Sequence, residues 1–448
     1  MSDLLSIGAS GVRAYQTALN TVGENIANTG VAGYTRRTTG LAEISATSSS
    51  INARYVTSGN GVAVTGVGRN ADMFKAASVR QSSSDLGRTE TGATWLDRIE
   101  NGLTENGLSD KLTGFFNAAR TLAADPTSIP SRAVLIESAT STALGFQQTG
   151  ISLDRAMTEL DATAQQGARS LNVLGAQLAA INDGLGRTSP NSATSAQLMD
   201  QRDQALEQMS ALTDLSVKID DLGRATVALG GTNGPTFVAG NVGGTVSYQR
   251  SASGVASYVV QRTGTTATLS PTGGVLAGVV DGAQRIAETR TSLNAIAADF
   301  TAQVNSLQAQ GRDLDGVAGR PLFATGATPT DISVTLTDPR GIAAASATGG
   351  TRDASNLAAL QGMRTTRDFE GRTTSLITAN AAALDQKRQV ADAQTSILGG
   401  AVAARDAVSA VDLDAEAVEL LRFQQAYQAS ARVIQVARET MQSILEIR

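Results

Sequence analysis

Asp200, Arg202 and Asp203 are the residues whose types and spacing come nearest to a catalytic arrangement. They lie in a run, residues 198–206, whose composition predicts a helix, and residues three positions apart share one helix face. Two carboxylates on one face could supply the acid and the base of a glycan hydrolase. Aspartate and arginine at this spacing are far more often an ion-paired or solvated helix face, and we interpret them in that way.

The chain lacks the side chains on which most catalytic sites depend. It has no histidine and no cysteine, which excludes imidazole bases, Ser-His-Asp and Cys-His nucleophiles, disulfides and zinc sites of the His/Cys kind. The glycines at 59–61 are not followed by the Gly-Lys-Ser/Thr of a phosphate loop. Residues 313–316 lack the spacing and the final glutamate of a calcium loop. We therefore expect no enzyme activity, no cofactor and no metal site.

Composition restricts the partners of the chain and favours helices. Of its 448 residues 41% are hydrophobic but only 4% are aromatic, a mixture that suits long helices better than one large globular core. The net charge of −5 argues against nucleic acid and against an anionic membrane surface. No apolar run reaches the roughly 18 residues of a membrane span. The start, residues 1–5, lacks the basic region of a signal peptide.

Both ends of the chain carry apolar residues at every seventh position, which is the pattern of helices that pair in a coiled coil. Near the N-terminus the pattern continues to Asn28, and Gly30 is placed to end the helix. Near the C-terminus it runs through residues 411–448 without proline or glycine. The two segments are therefore predicted to pair, and the predicted seam consists of Leu5, Val12, Tyr15, Leu19, Val22, Ile26, Leu413, Leu420, Phe423, Tyr427, Ile434, Met441 and Ile444.

The middle of the chain changes from helical to β patterns and back. Residues 85–212 have helical apolar spacing, with a stop predicted at 182–184. Residues 214–272 switch to alternating and β-branched runs between glycines, which predicts a small antiparallel β domain. Helical spacing then resumes and leads into the C-terminal seam, with Gly399 and Gly400 as a predicted flexible break.

The predicted fold class is mainly α with a β insertion. The N- and C-terminal helices pair as a coiled coil of residues 1–45 and 405–448. A mainly helical rod comprises residues 46–213 and 273–404, and the inserted β domain is 214–272. Terminal helices that lack a stable core of their own are expected to be disordered in the free monomer and to order on assembly.

Five segments resemble the bacterial flagellar axial proteins, which are the rod, hook and hook-associated proteins. The first is an Asn-Ile-Ala-Asn helix end followed by a turn and Gly-Tyr, although the family usually has proline where this chain has Ala32. The others are a glycine-valine run that leads into residues 69–80, an Asp-Gln-Arg-Asp helix, a Gly-Gly pair at 273–274 before a helix with Asn305 near its end, and the C-terminal run 420–434. These four are similar to the hook-associated members. The signature residues are Asn25, Ile26, Ala27, Asn28, Gly33, Tyr34, Asp200, Gln201, Arg202 and Asp203.

The resemblance implies a structural subunit that forms the junction between hook and filament and is needed for filament assembly. It implies export by the flagellar type III apparatus without a cleaved signal peptide, an extracellular position in the flagellum, and an export chaperone. The implied partners are the hook protein, a second hook-associated junction protein and through it flagellin, and copies of the chain in a ring. Two other functions stay open: a secreted adhesive or binding module that uses the β insertion, and an exported glycan hydrolase.

Overall fold

The computed structural model describes residues 2–44 and 61–446. It confirms the predicted fold class, since long helices dominate the described chain and the strands form small antiparallel sheets. Of the glycine-containing run at 59–61, residues 59 and 60 lie outside the described residues. The helices are α1 Ser2–Ala27, α2 Met73–Thr104, α3 Leu108–Ala124, α4 Ile129–Arg187, α5 Ala193–Leu212, α6 Gly274–Gln310, α7 Ser355–Arg367, α8 Phe369–Ser409 and α9 Leu413–Glu446.

Helices α1 and α9 pack against each other as an antiparallel pair, which confirms the predicted pairing of the two ends. A Cβ atom placed on Gly8 would lie 2.7 Å from Ile434 Cγ1, so the two helices approach very closely at this point. Further along α1, the ring centroids of Tyr15 and Phe423 are 6.3 Å apart. A later residue of α1 thus meets an earlier residue of α9, and this sets the antiparallel register.

Helices α2, α3, α4, α6, α7 and α8 form a body around an aromatic core. Helix α8 lies antiparallel along α2, where Asn380 Nδ2 donates to Leu96 O at 2.9 Å and the Lys387 side chain covers Gly92. The two terminal segments therefore enter the body through α2 and α8. Six fully buried phenylalanine rings of this core contact one another: Phe115, Phe116, Phe146, Phe300, Phe323 and Phe369.

The strands between α5 and α6 pack on the second half of α4. Asn172 exchanges hydrogen bonds of 2.6 and 3.0 Å with the backbone of Val246, and Asn182 exchanges two of 2.8 Å with that of Ala225. The predicted helix stop at 182–184 is wrong, because α4 continues to Arg187. The physical reason is that the Asn182 amide bonds a neighbouring strand and does not cap its own helix.

The strands form hairpins and short meanders. The order β3-β4-β5-β6 makes one sheet and β7-β8-β9 another, while β1 pairs with β2 and β10 with β11. The strands are β1 Arg37–Glu43, β2 Val62–Arg69, β3 Leu215–Ile219, β4 Ala225–Leu229, β5 Thr236–Ala239, β6 Val242–Gly243, β7 Thr245–Arg250, β8 Ala256–Arg262, β9 Thr265–Leu269, β10 Phe323–Thr325 and β11 Ile332–Val334.

The ends of the predicted insertion 214–272 meet at Asp214. Its Oδ1 atom accepts hydrogen bonds from Thr272 N at 3.0 Å and Gly273 N at 3.3 Å. The strands between these ends nevertheless belong to the same hydrophobic core as α4. The division into three domains stays a prediction.

The predicted flexible break at Gly399 and Gly400 is wrong, because α8 runs through both residues. Two glycines in a helix interior cost roughly 1 kcal/mol each relative to alanine. The helix is held on both sides of them: Leu384 is buried in the body, and Arg405 Nη1 donates to Glu207 Oε2 at 2.9 Å. These contacts compensate for the weak local helix propensity.

Candidate assembly site at the base of the terminal helices

The amide of Asn25, near the C-terminal end of α1, joins the terminal helices to the turn that follows them. Its Nδ2 donates to Arg37 O at 2.9 Å and to Glu416 Oε2 at 3.0 Å. Its Oδ1 accepts from Tyr34 OH at 2.9 Å and from Arg37 N at 3.0 Å. Both donors and both acceptor sites of this buried amide are thus occupied. The first signature segment therefore acts as a structural joint.

Glu416 places a carboxylate inside the α1–α9 seam, where it is fully buried. Arg36 Nε donates to its Oε1 at 2.6 Å, and Asn25 Nδ2 donates to its Oε2. Arg36 N also donates to Ser409 O at 2.8 Å, at the end of α8. A buried carboxylate that is paired in this way disfavours any other register of the two helices, because a shift would leave it without partners.

The second signature segment, on α5, joins the same network through two arginines. Arg69 Nε donates to Asp200 Oδ1 at 2.8 Å and Arg69 Nη2 to Asp203 Oδ2 at 2.8 Å. Arg37 Nη2 donates to Asp200 Oδ2 at 3.3 Å. Arg202 donates to Asp203 Oδ1 at 2.6 and 2.8 Å. As interpreted from the sequence, these aspartates are ion-paired, and the arginines occupy the oxygens that a catalytic pair would need.

Tyr34 lies in the turn between α1 and β1 and packs against the polar site there. Burial raises the pKa of its phenol to about 12, and the charge of Arg37 opposes this rise. The Arg37 guanidinium lies 4.9 Å from the centroid of the Tyr34 ring, in cation–π geometry. Gly33, directly before it, has φ +80°, a conformation that favours glycine. The Gly-Tyr pair thus supplies a turn that other residue types would strain.

The predicted seam residues fall into two groups. Val22 is buried, while most of the others are half-buried between the helices. Leu413, Met441 and Ile444 are instead about half exposed, at 52%, 49% and 54%. They lie at the two ends of the contact. Leu413 is the first residue of α9 and lies near the C-terminal end of α1, whereas the antiparallel register places Met441 and Ile444 at or beyond Ser2, the first described residue of α1. The half-buried seam residues are Leu5, Val12, Tyr15, Leu19, Ile26, Leu420, Phe423, Tyr427 and Ile434.

Sequence reasoning missed the small residues that bring the helices together. A Cβ placed on Gly11 would lie 2.6 Å from Ser430 Oγ, and Ala14 and Ala18 are 1% exposed. Their spacing of three and four residues along α1 was the available signal. Arg36 and Glu416 were missed as well, although Glu416 stands at a seam position. Among the remaining signature residues, Ala27 and Gln201 are exposed, and Asn28 donates to Glu24 O at 2.8 Å.

Within residues 2–44 and 61–446 no cluster of three or more acidic residues is placed to hold a metal ion. None of the helices within them is long and apolar enough to cross a membrane.

The flagellar axial resemblance implies a terminal helix pair in which the Asn-Ile-Ala-Asn end of one helix leads through a turn to the rest of the chain. The structure has this arrangement, which defines the chain as a protein of the flagellar axial class. Residues 94–323, about half of the chain, match the model of the flagellar hook-associated protein FlgK helical domain. Residues 406–447 match the flagellar basal body rod FlgEFG protein C-terminal model. The chain therefore belongs to the family of flagellar hook-associated proteins that contain the FlgK helical domain.

Individual relatives agree with this assignment. Flagellar hook-associated protein 1 of Salmonella typhimurium strain LT2 is 29% identical over 342 residues, 73% of this chain and 60% of the relative. The chain thus spans about three fifths of that relative. The Bacillus subtilis protein of the same name is 25% identical over 96% of this chain and 95% of its own length. The solved structure of the flagellar hook junction protein FlgK from Burkholderia pseudomallei has the same fold, with a TM-score of 0.66, 16% identity and 74% of this chain covered.

Proposed function

We propose that this chain is a structural subunit of the bacterial flagellum, forming the junction between hook and filament. The relatives are named as hook-associated or hook junction proteins, and the family model matches the helical body. No catalysis is part of this proposal, because Asp200 and Asp203, the candidate catalytic carboxylates, are bonded to Arg37, Arg69 and Arg202.

The observation that carries the proposal is the exposed apolar surface of the terminal helices, which no residue of the described chain covers. On the side of α9 that faces away from α1, Val418 is 65% exposed, Leu421 59% and Val436 58%. Burying each such side chain would gain roughly 1.5–3 kcal/mol. Neighbouring copies whose own terminal helices stand alongside, as in a ring, would provide that burial. The terminal unit, the helical rod and the β insertion would then be the axial core and its outer parts.

The partners of the proposed subunit follow from its position. On one side it would contact the hook protein, and on the other a second hook-associated junction protein and through it flagellin. It would leave the cell through the flagellar type III apparatus without a cleaved signal peptide, and a chaperone would cover the apolar C-terminal helix beforehand. Its place is extracellular, in the flagellum. Nucleic acid and membrane are not among the proposed partners.

Electron microscopy of a strain that lacks this gene tests the proposal. We expect hooks without filaments, and we expect the full chain to restore filaments. Leu420→Asp, which places a charge in the half-buried seam, should not restore them, whereas Gln424→Asp on the exposed side of the same helix should. Circular dichroism and Trp95 fluorescence should show a folded body in both variants. Normal filaments in the deletion strain would contradict the proposed function, and normal filaments with Leu420→Asp would contradict the seam.

A further inference from the structure

The segment from Arg69 to Arg80 contains two side chains, Phe74 and Arg80, that the folded chain neither covers fully nor pairs directly. Arg69 is bonded to α5, and Asp72 caps α2 by accepting from Phe74 N at 2.9 Å and Lys75 N at 3.2 Å. The Phe74 ring itself is 80% exposed. The Arg80 side chain has no hydrogen bond and no ion pair within 4 Å in the described ranges, although the carboxylates of Asp203 and Glu207 lie near enough to act on its pKa. An exposed aromatic ring and a guanidinium without a direct partner therefore lie six residues, about 1.7 helical turns, apart on α2.

These two groups border one groove between α2, the end of α5 and β3. The groove has a volume of about 410 Å³, and Leu215 and Val217 of β3 form its apolar wall. Ser84, another residue of the lining, is 1% exposed, and its buried Oγ has no hydrogen-bond partner among the described residues. Burial lowers the pKa of the Arg80 guanidinium, and the charges of Asp203 and Glu207 oppose this change. The groove thus offers an apolar wall and a partly desolvated cation.

The turn between β3 and β4 has the complementary chemistry. Asp221 and Leu222 at its tip are both exposed, and Asp221 has no ion pair within the described chain. The neighbouring Asp220 is occupied by Arg224, whose Nε donates to its Oδ2 at 2.7 Å. Arg202 Nη1 donates to Gly223 O at 2.5 Å and so fixes the base of the turn to α5. The tip is therefore a rigid acidic and apolar projection.

We propose that the groove at Phe74 and Arg80 is a subunit contact that receives the Asp221–Leu222 tip of a second copy of this chain. The Asp221 carboxylate would pair with Arg80, and Leu222 would cover Phe74 and Val217. Because groove and tip are different surfaces of one molecule, the contact is head-to-tail and propagates into a ring or a helix. The inference rests on the proposed function, and it gives the β insertion a role in the ring.

A second copy is favoured over other occupants because the groove is continuous with a cleft that reaches the exposed apolar side of α9. Arg80 also borders a larger cleft of about 670 Å³ that extends past Arg405 to Val411, directly below the first turn of α9. The exposed apolar side of α9, with Val418 and Leu421, begins at that point. A neighbour that stands beside α9 would therefore also stand beside the groove. The charges match as well, because an unpaired cation on one surface faces an unpaired carboxylate on the other.

Cysteine cross-linking tests the contact directly, since the chain contains no cysteine of its own. Ser78→Cys beside the groove is combined with Lys218→Cys, an exposed residue beside the tip, so that Asp221 and Leu222 stay in place. The full-length chain is assembled on hooks and treated with a short bis-maleimide. We expect a ladder of covalent multimers on denaturing gels. The pairing of Ser78→Cys with Ser253→Cys, on the exposed turn between β7 and β8, should give no ladder. Equal yields from the two pairs would overturn the proposal.

Charge reversal provides a second test in the deletion strain. We expect Arg80→Glu and Asp221→Arg each to lower the number of filaments at least about tenfold, because like charges then face each other. The double variant should restore filaments. Phe74→Ala, a truncation at the surface, should also lower them, and Trp95 fluorescence melting checks that each variant is folded.

The outcomes separate this inference from the proposed function. If the unmodified chain does not restore filaments, the proposed function is wrong. If it restores them and Arg80→Glu and Phe74→Ala do so equally well, only the contact is wrong. If the single variants lower the filament number, the double variant does not restore filaments and the cysteine pair gives no ladder, another partner occupies the groove and the second copy is excluded.

Discussion

Asp200→Asn is the substitution that best tests the ionic joint between the N-terminal segment and the helical body. The Asp200 side chain is only 10% exposed and holds Arg69 at 2.8 Å and Arg37 at 3.3 Å, whose side chains are 7% and 10% exposed. The amide has nearly the shape of the carboxylate but no charge, and it presents an NH₂ group to one of the two guanidinium groups. Both arginines would thus lose a charge-assisted partner without any change in packing.

The expected loss follows from the remaining partners. Hydrogen bonds to charged groups contribute about 1.5–3 kcal/mol each. Arg69 retains Asp203 and Thr35, and Arg37 retains Glu24, so the loss should be nearer one such bond than two. We expect about 2–3 kcal/mol in the free energy that keeps β2 docked on α5. At about 1.4 kcal/mol per factor of ten, the β2 amides should exchange with solvent about 30 to 150 times faster.

Hydrogen exchange measured by mass spectrometry on peptides that cover β2 is the assay. Asp183→Asn is the matched control, because Asp183 forms an exposed ion pair with Arg187 one turn further along α4, and such pairs contribute less than about 1 kcal/mol. Trp95, the single tryptophan, is buried in the body and reports whether the core stays folded. If Asp200→Asn accelerates β2 exchange no more than Asp183→Asn does, the joint does not stabilise the fold as argued.

Three further predictions concern larger parts of the molecule. Deletion of residues 217–272 should leave the helical circular dichroism signal of the remaining chain largely intact, since the flanking segments meet at Asp214, but should lower the melting temperature because α4 loses its cover. Limited proteolysis of the free chain should cut within about 1–45 and 400–448 and spare 90–310, and protection of both ends in a dilute monomer would contradict this. Tyr34 should make the free energy of unfolding fall between about pH 10 and 12. Its pKa in the folded chain, about 12, exceeds the ordinary value of 10, so the unfolded chain loses the proton first. The stabilisation that is present below pH 10 is therefore gone above pH 12. Alkaline unfolding of Tyr34→Phe should lack this fall.

Periodicity in the sequence was sufficient to predict the helix pair but not its contacts. A seven-residue repeat identifies the face that a helix presents. The direction of the partner helix and the closeness of approach depend on residues outside the repeat. Gly8 and Gly11 look like weak points of a helix, yet they let α1 approach Ile434 and Ser430. The exposed Leu413 and Met441 satisfy the repeat but lie at the ends of the overlap.

The polar joint was predictable only in part, for a related reason. Resemblance identifies both signature segments, and the spacing of the aspartates predicts an ion-paired helix face. Nothing in the local sequence indicates that Arg37 and Arg69 meet Asp200, because 163 and 131 residues separate them. Glu416 looked like one of several acidic residues in the first turns of a helix, where they favour the helix dipole. Only the antiparallel register shows that this one points into the seam.

The terminal helix pair is stabilised more strongly at its base, near Asn25, than at its tip, near the start of α1. At its base the Asn25, Arg36 and Glu416 side chains are tied together by buried hydrogen bonds. Toward the tip, glycines and alanines bring the helices together, and the larger seam side chains there are only half-buried, so each gains less than full burial would provide. Ordering each residue costs about 1–2 kcal/mol for the backbone alone. In a free chain the pair should therefore open from the tip, so trypsin should cut after Arg432 and Arg438 before it cuts after Arg405. A ring of neighbours that covers the outer side of α9 would add burial where one chain has least.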